Sequence, residues 1–158
     1  MGLVAPLPAQ PPQVARSAPG LRVLSLNLGR CERLRIGERS VLSGIGKRPV
    51  DGPVAVARLG LEGDEQADLS VHGGLDKAVY AYPAAHYAFW HAARRERKVS
   101  LFDETLPPGF MGENLTVEGL LEHDVYVGDR LHFPDCVLRV TAPREPCYKF
   151  NAVMGFVQ

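Results

Sequence analysis

No stretch of this chain is apolar for the roughly 18 residues that a membrane-spanning helix needs, so a transmembrane helix is not expected. An excess of charge of either sign is also lacking. Lys and Arg together number 18 and so do Asp and Glu, which leaves no global field to draw in nucleic acid or an anionic membrane. Any anion site must therefore be local. Cysteine is scarce: Cys31, Cys136 and Cys147 are odd in number, irregularly spaced and free of any C-x-x-C pair, so neither a disulfide framework nor a thiolate zinc site is indicated. A reducing, cytoplasmic setting follows. The N-terminus has no charged segment leading into an apolar one, unlike a secretory signal.

What is present suits one compact domain. At 158 residues, 46% apolar and 23% charged, the chain can bury a real core. The first 20 residues hold five prolines among small and polar residues, too little apolar area to offset ordering entropy, and are expected to form a flexible arm. The domain is placed at residues 21–158. Leu21 to Leu28, Val54 to Leu59 and Ala78 to Tyr82 read as short strands. Arg130 to Phe133 and Val137 to Thr141, either side of Pro134-Asp135-Cys136, read as a hairpin. One helix is expected after Pro83, with Tyr87, Trp90 and Ala93 on its apolar face and cations from Arg94 to Lys98 at its C-terminal end. The pattern predicts a mainly β fold with one or two helices, closer to a small antiparallel barrel than to alternating strands and helices.

Three segments carry chemistry. In Pro143-Arg144-Glu145-Pro146-Cys147-Tyr148-Lys149 the prolines stiffen the loop, and Arg144 and Lys149 favour a thiolate on Cys147, the form that acts as nucleophile and metal ligand. Glu145 opposes it mildly. Local sequence fits a buried structural cysteine equally well. In Val71-His72-Gly73-Gly74-Leu75-Asp76-Lys77 the glycines permit an anion-binding nest of N–H groups with Lys77 beside it, although a tight turn has the same pattern and is commoner. Gly112-Glu113-Asn114-Leu115 offers polar groups at a strand entrance, or a turn that satisfies itself. The carboxylates of Leu61-Glu62-Gly63-Asp64-Glu65-Gln66-Ala67-Asp68 lack the alternation of a calcium loop and read as a solvated loop. His86 either reaches a site or caps the core.

Taken in order, these segments, together with Tyr82-Pro83, His86-Tyr87, Trp90 and Val127-Gly128-Asp129, resemble the MOSC family over roughly residues 21 to 155, in its YiiM-like branch. The family is named for the C-terminal domain of molybdenum cofactor sulfurases, which adds a link to pyridoxal phosphate-related proteins. The resemblance implies a MOSC-type β-barrel with Cys147 as the functional cysteine and metal ligand. It implies molybdenum cofactor binding, sulfur transfer or, in the YiiM-like branch, reduction of N-hydroxylated bases. On that reading Cys147 and His72 are catalytic, His72 as a proton donor. Gly73, Gly74, Asp76, Lys77, Glu113, Asn114, Arg144 and Lys149 would hold the cofactor. The partners would be a small-molecule substrate and a redox protein or cysteine desulfurase, with no nucleic acid or membrane. The alternative is a sulfur carrier that receives sulfane sulfur on Cys147. YiiM-like proteins usually continue into a helical C-terminal region, which this chain, stopping at Gly155-Phe156-Val157-Gln158, is expected to lack; the subunit number stays open.

Overall fold

In a computed structural model, residues 20–99 and 104–156 are described; the arm expected at residues 1–20 lies outside them but for Gly20. The architecture is mainly β with two helices. Strand β1 (Arg22–Leu28) lies in a four-stranded sheet with β4 (Arg48–Pro49), β7 (Ala81–Pro83) and β8 (Leu115–Glu118), in the order β4-β1-β8-β7. β8 lies between β1 and β7, and its Leu115, Thr116 and Val117 are all buried. The strand pairs antiparallel with β1 and parallel with β7.

A parallel pair needs a crossover, and helix α1 (Tyr87–Glu96) supplies it between β7 and β8. This strand–helix–strand unit departs from the antiparallel arrangement expected from the strand spacing. The expected strands at Val54–Leu59 and Ala78–Tyr82 shrink to β5 (Val56–Ala57) and β7. Pro83 ends β7 and caps a single 3-10 turn that leads into α1, and does not itself lie in the helix. The hairpin of β9 (Arg130–His132) and β10 (Val137–Arg139) forms as the Pro-Asp turn indicates. Two further hairpins join β2 (Glu32–Ile36) to β3 (Arg39–Ser43), and β5 to β6 (Gly60–Leu61). Among the described residues the strands form these four sheets and not one closed ring.

The core has a helical and a sheet side. Leu106, Met111, Phe150 and Met154 are buried together, with Tyr82, Tyr87, Trp90 and Cys147 packed against them. Phe150 and Met154 belong to α2 (Tyr148–Val153) and its C-cap, a second helix that begins one residue after Cys147. The indole of Trp90 meets the Phe150 ring edge-on at 5.0 Å, a geometry worth about 0.5–1.5 kcal/mol beyond the burial itself. That contact locks α1 to α2 and thereby fixes where Cys147 begins its helix.

Candidate functional site

A pocket of about 550 Å³, part of it open to solvent, lies where the loops after β3, before β8 and before α2 meet the 64–80 segment. Cys147, His72, Lys77, Arg144, Lys149 and Asn114 all line it. Of the residues singled out in the sequence, these six are brought together. Cys147 is half-buried and extended (φ −125°, ψ 172°), at the end of the loop that Pro143 and Pro146 stiffen. Its carbonyl accepts the Asn151 N–H at 3.1 Å, so the residue is anchored on the helix it precedes.

Three cations line the same pocket as this thiol, without carboxylate ion-pair partners among the described residues. The Lys149 ammonium donates to the Leu42 carbonyl at 2.8 Å, and the Lys77 ammonium to the Val71 carbonyl at 2.6 Å. The Arg144 guanidinium sits over the Tyr80 ring, 4.9 Å from its centroid. Neutral partners hold these side chains in place without pairing their charge directly, although Glu65 and Asp68 line the same pocket. His72 registers that field. Burial and then the positive charges of Arg144 and Lys149 push its imidazole below the ordinary histidine range, with only Asp68 pulling the other way. Both effects favour the neutral ring over the imidazolium.

The other predicted residues stand behind the pocket. Gly74 has φ +80° and ψ −172°, a backbone conformation suited to glycine, but its N–H already donates to Gln66 Oε1 at 2.9 Å. Gly73 is buried against the same side chain: a Cβ there would lie 2.3 Å from Gln66 Oε1. The two glycines thus admit a glutamine. Asp76 is exposed away from the pocket, and its carbonyl accepts the Thr141 hydroxyl at 2.5 Å. Glu113 is wholly buried. Its carboxylate accepts the Tyr87 hydroxyl at 2.5 Å, the Thr116 hydroxyl at 2.7 Å and the N–H groups of Gly109 and Met111 at 2.8 and 3.1 Å. It ties the 107–113 turn to β8 and α1. Burial and this carboxylate push the Tyr87 hydroxyl well above the usual tyrosine range.

Asn114 lines the pocket with its side chain already engaged. Its amide donates to the Asn27 carbonyl at 3.3 Å and Asp64 at 2.9 Å, and its oxygen accepts the Tyr80 N–H at 3.1 Å. The 61–68 segment is only partly a solvated loop: Glu62, Gly63 and Glu65 are exposed, but most of its polar side chains are engaged. Asp64 is buried in an ion pair with Lys47 at 2.5 Å, Glu65 accepts the Cys31 N–H at 2.7 Å, and Asp68 caps the turn through Ser70 and Val71. Lys47, Asp64 and Gln66 line the pocket and were not singled out from the sequence as site residues. Their signal was weak, a lysine after Gly44-Ile45-Gly46 and an acidic run indistinguishable from a surface loop. Cys31 lies close behind; burial and Glu65 push its thiol pKa up. His86 bonds Glu122 at 2.8 Å outside the pocket, and Trp90 is a core residue whose indole N–H donates to the Tyr82 hydroxyl at 2.6 Å.

A β-rich domain with a single pocket cysteine inside a cationic rim is the class these features define. The family model of the MOSC domain matches residues 68–158, and the chain belongs to that family. It is 46% identical over 109 residues to YiiM of Escherichia coli, covering 69% of this chain and 46% of that protein. Identity is 43% over 133 residues to the uncharacterized protein YflK of Bacillus subtilis, covering 84% and 57%. A protein of Gibberella moniliformis named reductase is 36% identical over 135 residues, covering 85% and 23%. The crystal structure of YiiM from Geobacillus stearothermophilus matches with a TM-score of 0.59 at 32% identity, over 86% of this chain and 57% of that one. The chain spans between about a quarter and three fifths of the length of these relatives. Among the described residues no helix is long and apolar enough to cross a membrane.

Proposed function

We propose that this chain binds a molybdenum cofactor in the Cys147 pocket and reduces a small N-hydroxylated base or a related compound there. The observation that carries the reading is the placement of one partly exposed thiol among three cations that lack carboxylate partners among the described residues. Among those residues, no group of three His, Cys, Asp or Glu could hold a metal by itself. A lone soft cysteine ligand in a pocket lined by four basic side chains suits a metal that arrives with its own sulfur ligands on a phosphate-bearing group. Cys147 would add one thiolate to the metal, and Arg144, Lys149 and Lys77 would hold the negative portion of the cofactor. When bound, the cofactor supplies the two-electron redox chemistry that cleavage of an N–O bond requires.

The chain's own residues do the rest. Arg144, braced on Tyr80, and Lys149, braced on the Leu42 carbonyl, present charge without having to be ordered first. His72, kept neutral by its surroundings, can accept a proton or share its N–H. Asn114 and Glu113 act from behind, holding the loops that shape the pocket. The relative named reductase supports redox chemistry, and a free thiol suits a reducing, cytoplasmic compartment with a redox protein as electron source.

Protein purified from a cofactor-replete host should retain molybdenum and pterin, and Cys147→Ser should lose roughly ten-fold or more of the metal, the scale on which single groups at a metal site act. Equal metal content in the two proteins, or none in the wild type, would overturn the assignment.

A further inference from the structure

At the inner end of the pocket, away from the exposed Arg144 and Lys77, is a cation with a different character. The Lys47 side chain is 7% exposed and that of Asp64 is 2% exposed. Asp64 is saturated. One carboxylate oxygen accepts Lys47 and the Gly29 N–H at 2.9 Å, and the other accepts the Asn114 amide. Lys47 is not saturated. An ammonium carries three donors, and the bond to Asp64 is the only one it makes among the described residues, although it lines the pocket. Burying an ion pair costs more desolvation than an apolar pair of the same volume, so stability alone gives little reason for one here.

We infer that Lys47, braced by Asp64, is a subsite for a neutral, strongly accepting oxygen at the inward end of the ligand, while the outer cations take its anionic end. The charge balance sets that polarity. Lys47 and Asp64 cancel, so a full anion brought against them gains little net attraction and meets the Asp64 carboxylate behind. A neutral oxygen loses less on desolvation and receives a charge-assisted hydrogen bond. At the outer tier Arg144, Lys149 and Lys77 make no direct ion pair among the described residues and outnumber the lining carboxylates Glu65 and Asp68, so an anion belongs there. The ligand's orientation would be fixed by two tiers built from separate parts of the chain, residues 47 and 64 inside and residues 77, 144 and 149 outside. This deepens the reading proposed above, because it specifies the oxygen-bearing end of a small substrate, but it rests on the pocket and not on the metal.

The two tiers carry separate reporters. The Asn114 side-chain amide and the Gly29 N–H both bond Asp64 and report the inner tier; the His72 ring reports the outer one. Pyridine N-oxide, pyridine and inorganic phosphate would each be titrated into the 15N-labelled full chain. Pyridine N-oxide should move the Asn114 and Gly29 signals and bind about ten-fold or more tighter than pyridine, the value of one charge-assisted hydrogen bond. Phosphate should move His72 first. In Lys47→Met the preference for the N-oxide should vanish while the phosphate response persists. Because that variant leaves Asp64 buried and unpaired, Lys47→Met combined with Asp64→Asn keeps the test valid should the single variant fail to fold. Equal affinity for pyridine and its N-oxide in the wild type, or an N-oxide preference that survives in the double variant, overturns the inference. Cys147→Ser should leave the N-oxide preference in place, so failure of the metal assignment and failure of this subsite read out separately.

Discussion

At the scale of single residues, His72 is the most direct probe of the pocket's field. Its imidazole is held below the ordinary range by burial first and by Arg144 and Lys149 next. Between the depressed native value and the unfolded value of about 6.5, the unfolded chain holds more protons, so this contribution to stability is complete above the unfolded value and is lost as pH falls through the native one. An NMR titration of the His72 ring should give a midpoint below about 6.5. Arg144→Met and Lys149→Met should each raise it, and bound phosphate should raise it in the wild type by compensating the same charges. A midpoint that neither substitution moves would mean that burial alone depresses it, and that the cations do not converge on the ring in solution. Glu113 shows the opposite case at the same scale. Its sequence context looks like a site, yet every bond its carboxylate makes is to the protein's own turn, strand and helix.

Elements explain why Gly73 and Gly74 are needed. Gln66 crosses from the acidic segment to three others, donating to the Leu59 and Ala78 carbonyls at 2.8 and 3.1 Å and accepting from Gly74. That clamp sets the position of the turn that presents His72 and Lys77. Gly73→Ala must push the glutamine away, and the loss of its bonds at roughly 0.5–1.5 kcal/mol each should cost about 2 kcal/mol in urea unfolding. In a Gln66→Ala background the same substitution should cost much less, and a double-mutant cycle measures the difference. Additive effects would show that the clamp does not exist. The clamp was not legible in the sequence. Proline and glycine placement gave the Cys147 loop, the β9–β10 hairpin and the approximate start of α1, because those depend on local backbone preference. Lys47 is not singled out by the sequence, and Asp64 and Gln66 read there as part of a solvated loop, because their significance lies in partners 7 to 50 residues away, which composition and periodicity do not encode. The order of motifs along the chain was legible, and it was this order that indicated the family.

Across the whole molecule, stability is distributed unevenly, and the pocket lies on the boundary. The ladder of β1, β8 and β7 has a central strand buried at three of its four residues and is joined by Asn27 and Asn114, whose side chains bond across it. Among the described residues the β9–β10 hairpin pairs only with itself and exposes Val137, whereas β5–β6, which also pairs only with itself, exposes Val56 and Leu59 but buries Gly60 and Leu61. The β2–β3 hairpin stands between these extremes, with a five-pair ladder that also packs on α2. Local opening costs least where few apolar groups are buried and backbone bonds face water. Amide hydrogen exchange should therefore be slowest in β8 and β1, intermediate in β2–β3 and β5–β6, and fastest in β9–β10. The pocket draws its walls from the loops that follow β3 and precede β8 and α2, together with the 64–80 segment, so a bound ligand cross-links the slow and fast regions. Binding should slow exchange in the 64–80 segment and around residues 44–47 and 144–149, and leave β9–β10 unchanged. Protection that rose uniformly over the chain would instead mean that the domain opens as one unit, and that the pocket is no boundary at all.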